Sequence, residues 1–352
     1  MTPRDNLIAA LDGTQPAWIP YTVNQEFVTD DPVWETLFAA GLCPIPYVST
    51  VREEMSEVER MIEPFTWQGR PGRRVTLQTP VGDISQVEID GWVQEYYLKS
   101  PADYRVMAYI VRHTRLTLDS TRFETAEREV GNRGLTLVGV GRSPMQTILV
   151  DYAGLENFAY HLTEAFTEFY TLAEVLEEQL LERCRLTATG PGRYLSLLEN
   201  FSAESWGAAR FRRYHLPVYA RMLSILQAAG KRVFPHCDGQ LACVAEMLSD
   251  TEFAGIESLT EPPEGDMTLA QARAAMPGKI LWVNINVGSY SLPPEQLRHW
   301  VHDRVQIAAP DGQRLAFEIS EDLPTNWREA IPVVLAALRE HEFSVARRSN
   351  EL

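Results

Sequence analysis

Eight short apolar runs, long amphipathic segments between most of them and one glycine-punctuated stretch of alternating residues predict an α/β fold for this 352-residue chain. The form they predict is a single (β/α)8 TIM barrel with an antiparallel β insertion between strands two and three. The runs are Trp18 to Val23, Pro44 to Val48, Leu135 to Val140, Tyr194 to Leu198, Arg232 to Phe234, Phe253 to Ser258, Ile280 to Ile285 and Leu315 to Ile319. Each has the length of a strand covered on both faces, as in a parallel sheet. Apolar residues recur at helical spacing through Leu155 to Thr187, Ser205 to Ala229, Pro294 to Ala308 and Trp327 to Glu340. Between the second and third runs, Phe65-Thr66-Trp67, Arg74 to Gln78 and Asp83 to Tyr97 alternate apolar and polar residues around Gly69, Gly72 and Gly82. That is the period of hairpins, so residues 55–100 are expected to form an antiparallel insertion covering the barrel mouth. No repeat, low-complexity tract or linker divides the sequence, and residues 1–352 read as one domain with Arg347 to Leu352 frayed.

The formal charge of -16 argues against a nucleic-acid or anionic-membrane surface, since phosphates demand clustered Lys and Arg. No stretch approaches the roughly 20 apolar residues of a membrane span. The start, Met1-Thr2-Pro3-Arg4-Asp5, lacks the apolar core of a signal peptide, so a cytoplasmic protein is expected. The four cysteines, Cys43, Cys184, Cys237 and Cys243, form no C-x-x-C pair and no disulfide framework, which disfavours a thiolate-rich zinc site. Oligomeric state is not readable from these features.

In such a barrel the functional groups stand at the C-terminal ends of the strands. The fifth run opens into His236-Cys237-Asp238-Gly239. Residues i and i+2 of an extended segment point the same way, so His236 and Asp238 converge and Cys237 faces elsewhere. An imidazole and a carboxylate at one point are half a metal site; a helix-capping Asp beside a packing His is the alternative. The other runs close on Tyr21 and Asn24, on Arg142, on Glu199 and Asn200, on Glu257, on Asn284 and Asn286, and on Glu318 to Asp322. A rim of Glu, His, Asp and Asn suits a divalent cation. Glu199 and Glu257 are the candidate catalytic carboxylates, equally readable as solvated loop groups. Tyr21, Asn24, Arg142, Asn284 and Asn286 are candidates for orienting a substrate; the two Asn are also readable as turn formers before Gly288, and Arg142 as a partner of a neighbouring carboxylate. Glu318 lies within its strand, where a charge must be paired or metal-linked.

Three stretches carry a resemblance: Ala228 to Gly239, Thr79-Pro80-Val81-Gly82, and Ser320-Glu321-Asp322-Leu323-Pro324 before a final helix. Together they resemble the uroporphyrinogen decarboxylase-like superfamily over nearly the whole chain. The resemblance implies a TIM barrel and one of two activities, porphyrinogen decarboxylation or cobalamin-dependent methyl transfer with zinc. The decarboxylase branch carries an N-terminal arginine-rich motif; the equivalent region here, Ile19 to Phe27, has no arginine, so the methyltransferase branch is the nearer. That branch holds zinc by a His-x-Cys after strand five and a second Cys after strand eight. His236 matches the histidine, while Asp238 and Glu321 stand where the cysteines would be.

What the resemblance implies, with that change, is a His236, Asp238 and Glu321 metal site, with Glu199 admitted as a fourth ligand, harder than a thiolate one. Zinc is the expected ion, with manganese and iron admitted. The leading expectation is an O-demethylase type of methyltransferase, passing a methyl group from a small methoxylated substrate to a separate corrinoid protein; the chain has no D-x-H-x-x-G corrinoid signature of its own. The runner-up is a metal-dependent decarboxylase of a small acid gripped by Arg142, and the third reading is a binding barrel without turnover.

Overall fold

The computed structural model of the chain describes residues 1–341, so the expected fraying at Arg347 to Leu352 lies outside the described residues. Fifteen strands form among them: β1 Tyr21–Asn24, β2 Leu42–Ile45, β3 Tyr47–Val48, β4 Val51–Met55, β5 Glu59–Trp67, β6 Arg70–Thr79, β7 Gly82–Ile89, β8 Trp92–Glu95, β9 Thr114–Leu118, β10 Leu137–Gly139, β11 Tyr194–Leu197, β12 Arg232–Pro235, β13 Gly255–Thr260, β14 Ile280–Ile285 and β15 Leu315–Ile319. Two parallel sheets carry the core, one ordered β13-β14-β15-β1-β2 and the other β12-β11-β10-β3. Where one continuous ladder was expected, the second run is interrupted at Pro46, whose missing N–H cannot continue the pairing. Its carbonyl still accepts from Leu137, 2.9 Å away, and so joins the sheets along that edge. Along the other edge Ala254 donates to Val233 and Cys237 to Glu257, with a single parallel bridge between His236 and Glu257.

The side chains sort by the two-residue period of the strands. Cys43, Ile45, Leu137, Tyr194, Phe234, Ile280, Trp282 and Ala316 meet in one buried cluster between the sheets, closed by Leu7 and Leu11 of the N-terminal helix Pro3–Leu11. That helix starts on a reciprocal cap of Thr2 and Asp5, with Pro3 in its first turn. The alternate residues, among them Leu195, Val233, Leu281, Val283 and Phe317, join the larger cluster shared with the surrounding helices. Trp282 Nε1 donates to Thr22 Oγ1 at 3.0 Å, which satisfies the one polar atom of the largest side chain in the inner cluster.

Two expected helices are each two. Leu155 to Thr187 is Gly154–Glu164 and Thr167–Thr189, separated at Ala165, which is left-handed at φ 53°. Ser205 to Ala229 is Ala203–Tyr214 and Leu216–Ala228, with Pro217 opening the second, where its missing N–H costs nothing. The insertion forms as an antiparallel sheet in the order β5-β6-β7-β8. Gln68-Gly69 and Asp90-Gly91 turn its outer hairpins with both residues at positive φ, the geometry two-residue hairpins favour. Its β7 packs on the helix Pro101–Arg112, and no residue of 55–100 lines the cavity described below. No helix among the described residues is long and apolar enough to cross a membrane.

Candidate metal centre

The same alternation that builds the inner cluster delivers a polar layer above it. Two residues beyond Ile45, Tyr194, Phe234, Trp282 and Ala316 stand Tyr47, Ser196, His236, Asn284 and Glu318, all lining one cavity of about 450 Å³. Asn24, Phe27, Leu198, Asn200, Ser258 and Glu321 are also in its wall.

His236, Asp238 and Glu321 each turn one ligand atom to a common point, the three lying within 4.8 Å of one another. His236 follows β12 and is fixed by its backbone: its N–H donates to Leu197 and its carbonyl accepts from Asn200. Its Nδ1 lies 3.1 Å from Ser258 Oγ and 3.9 Å from Glu257 Oε2, and its Nε2 lies 3.6 Å from Glu321 Oε1. A ring so held on one nitrogen offers the other to an ion. Asn200 Nδ2 donates to Asp238 at 3.1 Å, and Asn284 Nδ2 to Glu321 at 2.8 Å, so both carboxylates are oriented from behind. Donors of one imidazole and two carboxylates, with no thiolate, fit zinc or a harder divalent ion. Cys237 is 2% exposed and lines no part of the cavity; burial pushes its thiol well above the ordinary range, and the nearby Glu199 carboxylate adds to that.

Glu257 reaches the site through an irregularity. The pairing of β13 with β14 shifts between Ile256 and Leu259, and Ser258 is left-handed at φ 60°. In a regular strand Glu257 and Ser258 would face opposite ways; the bulge turns both toward His236. Glu257 is fully buried, accepts from Ser196 Oγ at 2.7 Å and from the Tyr47 hydroxyl, and burial raises its carboxyl above the ordinary range. Glu318 stands beside it, its Oε1 3.4 Å from the same tyrosine, its carboxyl raised well above the ordinary range by burial and then by Glu257 and Glu321. Its Oε2 is buried with no hydrogen-bond partner, as is Asn284 Oδ1.

Several candidates stand elsewhere. Tyr21 has the outward parity of its strand: its hydroxyl pairs with Tyr290 at 2.6 Å and does not line the cavity, whereas Asn24 does and also caps the turn that presents Phe27. Glu199 follows Leu198, which lines the cavity, and faces the other way, its oxygens accepting from the N–H and hydroxyl of Ser143. Arg142 donates to the Leu198 carbonyl and lies 3.4 Å from Asp151, the neighbouring-carboxylate reading, outside the cavity lining. Asn286 donates to the Glu261 carbonyl at 2.9 Å and holds a turn. Asn200 closes the fourth run beside Glu199, while Tyr47, Ser196 and Ser258 carry no such signal; strand parity, counted on from the inward residues Ile45 and Tyr194, is what finds Tyr47 and Ser196.

No family model matches the chain, and no curated protein does. Among solved structures it is similar to a methyltransferase from Methanosarcina mazei, at 12% identity and a TM-score of 0.58, with 97% of this chain and 99% of that one covered. It is also similar to the GH20 catalytic modules of a pneumococcal exo-β-D-N-acetylglucosaminidase, at 10% identity and a TM-score of 0.41, with 92% and 85% covered. The second likeness is too slight to carry an argument. The first, spanning both chains almost end to end, is a likeness of fold: a mixed α/β chain built on parallel strands.

Proposed function

We propose that the chain is a metal-dependent methyltransferase of the O-demethylase type, built on a (β/α)8 barrel of which the two parallel sheets are the halves. The observation that carries this reading is the meeting of His236, Asp238 and Glu321 at the mouth of a cavity, each held by a partner behind it. The fold neighbour from Methanosarcina mazei supports methyl transfer in general, as does the sequence resemblance to the uroporphyrinogen decarboxylase-like superfamily.

His236 Nε2 and one oxygen each of Asp238 and Glu321 would hold the ion, zinc before manganese or iron. When bound, it supplies a Lewis acid that polarises the oxygen of a methyl ether. The protein's own part is positional. Ser258 and Glu257 fix the imidazole; Asn200 and Asn284 fix the two carboxylates; Tyr47 and Phe27 give the substrate apolar surface beside them. We assign the methyl acceptor to the corrinoid of a separate protein. The decarboxylase alternative loses the guanidinium it required, because Arg142 is engaged by Leu198 and Asp151 outside the cavity lining.

The test is a panel of small methoxylated compounds with zinc-loaded protein, with and without a reduced corrinoid. Demethylation only with the corrinoid, matched by methyl-cobalt formation, is expected. Carbon dioxide release from a small acid without corrinoid refutes the reading.

A further inference from the structure

The cavity lined by His236 and Glu321 has a neighbour. A second cavity, of about 560 Å³, shares Gly139 and Leu198 with it, so the two meet where β10 ends and just past the end of β11. Their linings differ in charge. Among the described residues no Lys or Arg lines the first, whereas Arg52 of β4, Arg122 of the helix Thr121–Val130 and Arg183 of the helix Thr167–Thr189 line the second. In a chain of net charge -16, three guanidiniums brought from three elements to one cavity point to an anion.

Two carboxylates share that wall, and both are engaged. Glu53 pairs with Arg183, and Asp119 accepts the Thr121 N–H at 3.1 Å. The Asp119 carboxyl is held below the ordinary range by Thr121 first and then by Arg52 and Arg122, so both guanidiniums lie within reach of one point. Arg52 has Glu54 at 2.9 Å, but both side chains are more than half exposed, where water weakens the pair. Arg122 has no ion pair and no side-chain hydrogen bond among the described residues. A guanidinium keeps its charge at any working pH and grips a carboxylate or phosphate through paired N–H groups.

The junction suits the middle of a molecule. Leu198 is 42% exposed, an apolar side chain common to two polar cavities. A Cβ added to Gly139 would meet nothing closer than the Val48 carbonyl at 3.9 Å, so the bare backbone leaves room there.

We propose that the substrate spans both cavities, with its methoxy end beside His236 and Glu321, an apolar middle on Leu198 and Gly139, and an oxyanion, carboxylate or phosphate, at Arg122 and Arg52. This rests on the reading of the first cavity as the substrate site and narrows the substrate class to methoxylated anions. The oxyanion fixes one end and so sets where the methoxy oxygen lies.

Calorimetry on zinc-loaded protein, with no corrinoid present, tests it without turnover. The acid para-methoxyphenylacetate should bind roughly tenfold or more tighter than para-methoxyphenylacetamide, which has its shape without its charge, the worth of hydrogen bonds to a charged group. Arg122→Gln should remove most of that preference while the amide and zinc bind as in the wild type. Gly139→Val, which fills the junction, should weaken the acid and leave zinc unchanged. Equal binding of acid and amide overturns the proposal, and so does an acid unmoved by Gly139→Val. A preference that survives Arg122→Gln overturns it too, because the carboxylate is then on the ion. Inorganic phosphate that binds through Arg122 while acid and amide bind alike would make the second cavity a seat for a free anion, which also overturns it. If Arg122→Gln fails to fold, Arg52→Gln puts the same question. An acid held by Arg122 but never demethylated with reduced corrinoid refutes the methyl-transfer reading alone; demethylation with no preference for the acid refutes this proposal alone.

Discussion

Glu199 and Glu318 are two buried glutamates near strand ends, and they have opposite surroundings. Glu199 has both oxygens satisfied, Oε1 by the Ser143 N–H at 3.1 Å and Oε2 by its hydroxyl at 3.0 Å, inside a sealed group with His215 and Tyr219. Glu318 lines the cavity with one oxygen unmet. Burial raises both carboxyls, so a shifted titration does not tell a structural acid from a functional one. Satisfaction does. Both oxygens of Glu199 are met by Ser143, although His215 Nε2 in the same group is buried without a partner, whereas Glu318 keeps one buried oxygen unmet in a residue that lines the cavity.

The largest effect that sharpens this contrast is on metal. His236→Ala and Asp238→Ala should each lower zinc affinity beyond the roughly 10–100-fold typical of an outer partner, measured by competition with a chelator, with the fold intact by circular dichroism. Glu321→Gln should weaken it in the same direction. Glu199→Gln should leave zinc unchanged, since Glu199 is not among the three residues that converge and gives both oxygens to Ser143. A Glu199→Gln variant that loses zinc as Asp238→Ala does would erase the distinction between the two glutamates.

The second effect is on stability against pH. Burial raises the Glu199 carboxyl from 4.5 to about 7, with Ser143, Arg142 and Tyr219 pulling against it. A raised folded pKa means the stabilising contribution is complete below 4.5 and lost as pH climbs to about 7. At 1.36 kcal/mol per pH unit the loss is about 3 kcal/mol. His215, also in the group, is lowered by burial from 6.5 to about 3, so its contribution is complete above 6.5 and lost on acidification. Between 4.5 and 6.5 the two slopes oppose each other in the wild type. Glu199→Gln removes only the first, so its stability relative to wild type should rise from pH 4.5 to about 7 and then level off in denaturant unfolding. A difference that is flat over that range means Glu199 is ionised in the folded state.

The same contrast marks what the sequence made legible. Strand ends were readable because apolar runs stop at polar residues, and His236 with Asp238 was readable from a two-residue spacing. Glu199, Tyr21 and Arg142 close runs and so read as rim residues, yet a run's end does not state which way a side chain points. Parity states it, once an inward residue such as Phe234 or Trp282 is known from the packed cluster. Glu257 escapes parity altogether, since the bulge at Ser258 turns two consecutive residues inward, and nothing in Gly255 to Leu259 announces it. The break at Ala165 is likewise hidden inside a pattern that reads as continuous, whereas the one at Pro46 is announced by the proline itself.

The smallest expected effect concerns Cys237, which sits between His236 and Asp238 in sequence and apart from them in space. It is 2% exposed, absent from the cavity lining, and on the side where Glu199 lies, with its thiol pushed far from ionising. A thiolate ligand needs the opposite: access to the ion and a lowered pKa. Cys237→Ser should therefore keep zinc affinity at the wild-type level, while the hydroxyl, placed among buried side chains, costs about 1–3 kcal/mol of stability. The check is a chelator competition beside a denaturant unfolding curve on the same preparation. Loss of zinc with stability retained would put Cys237, in place of Asp238, beside His236 and Glu321. That amounts to a one-residue slip of the segment after His236.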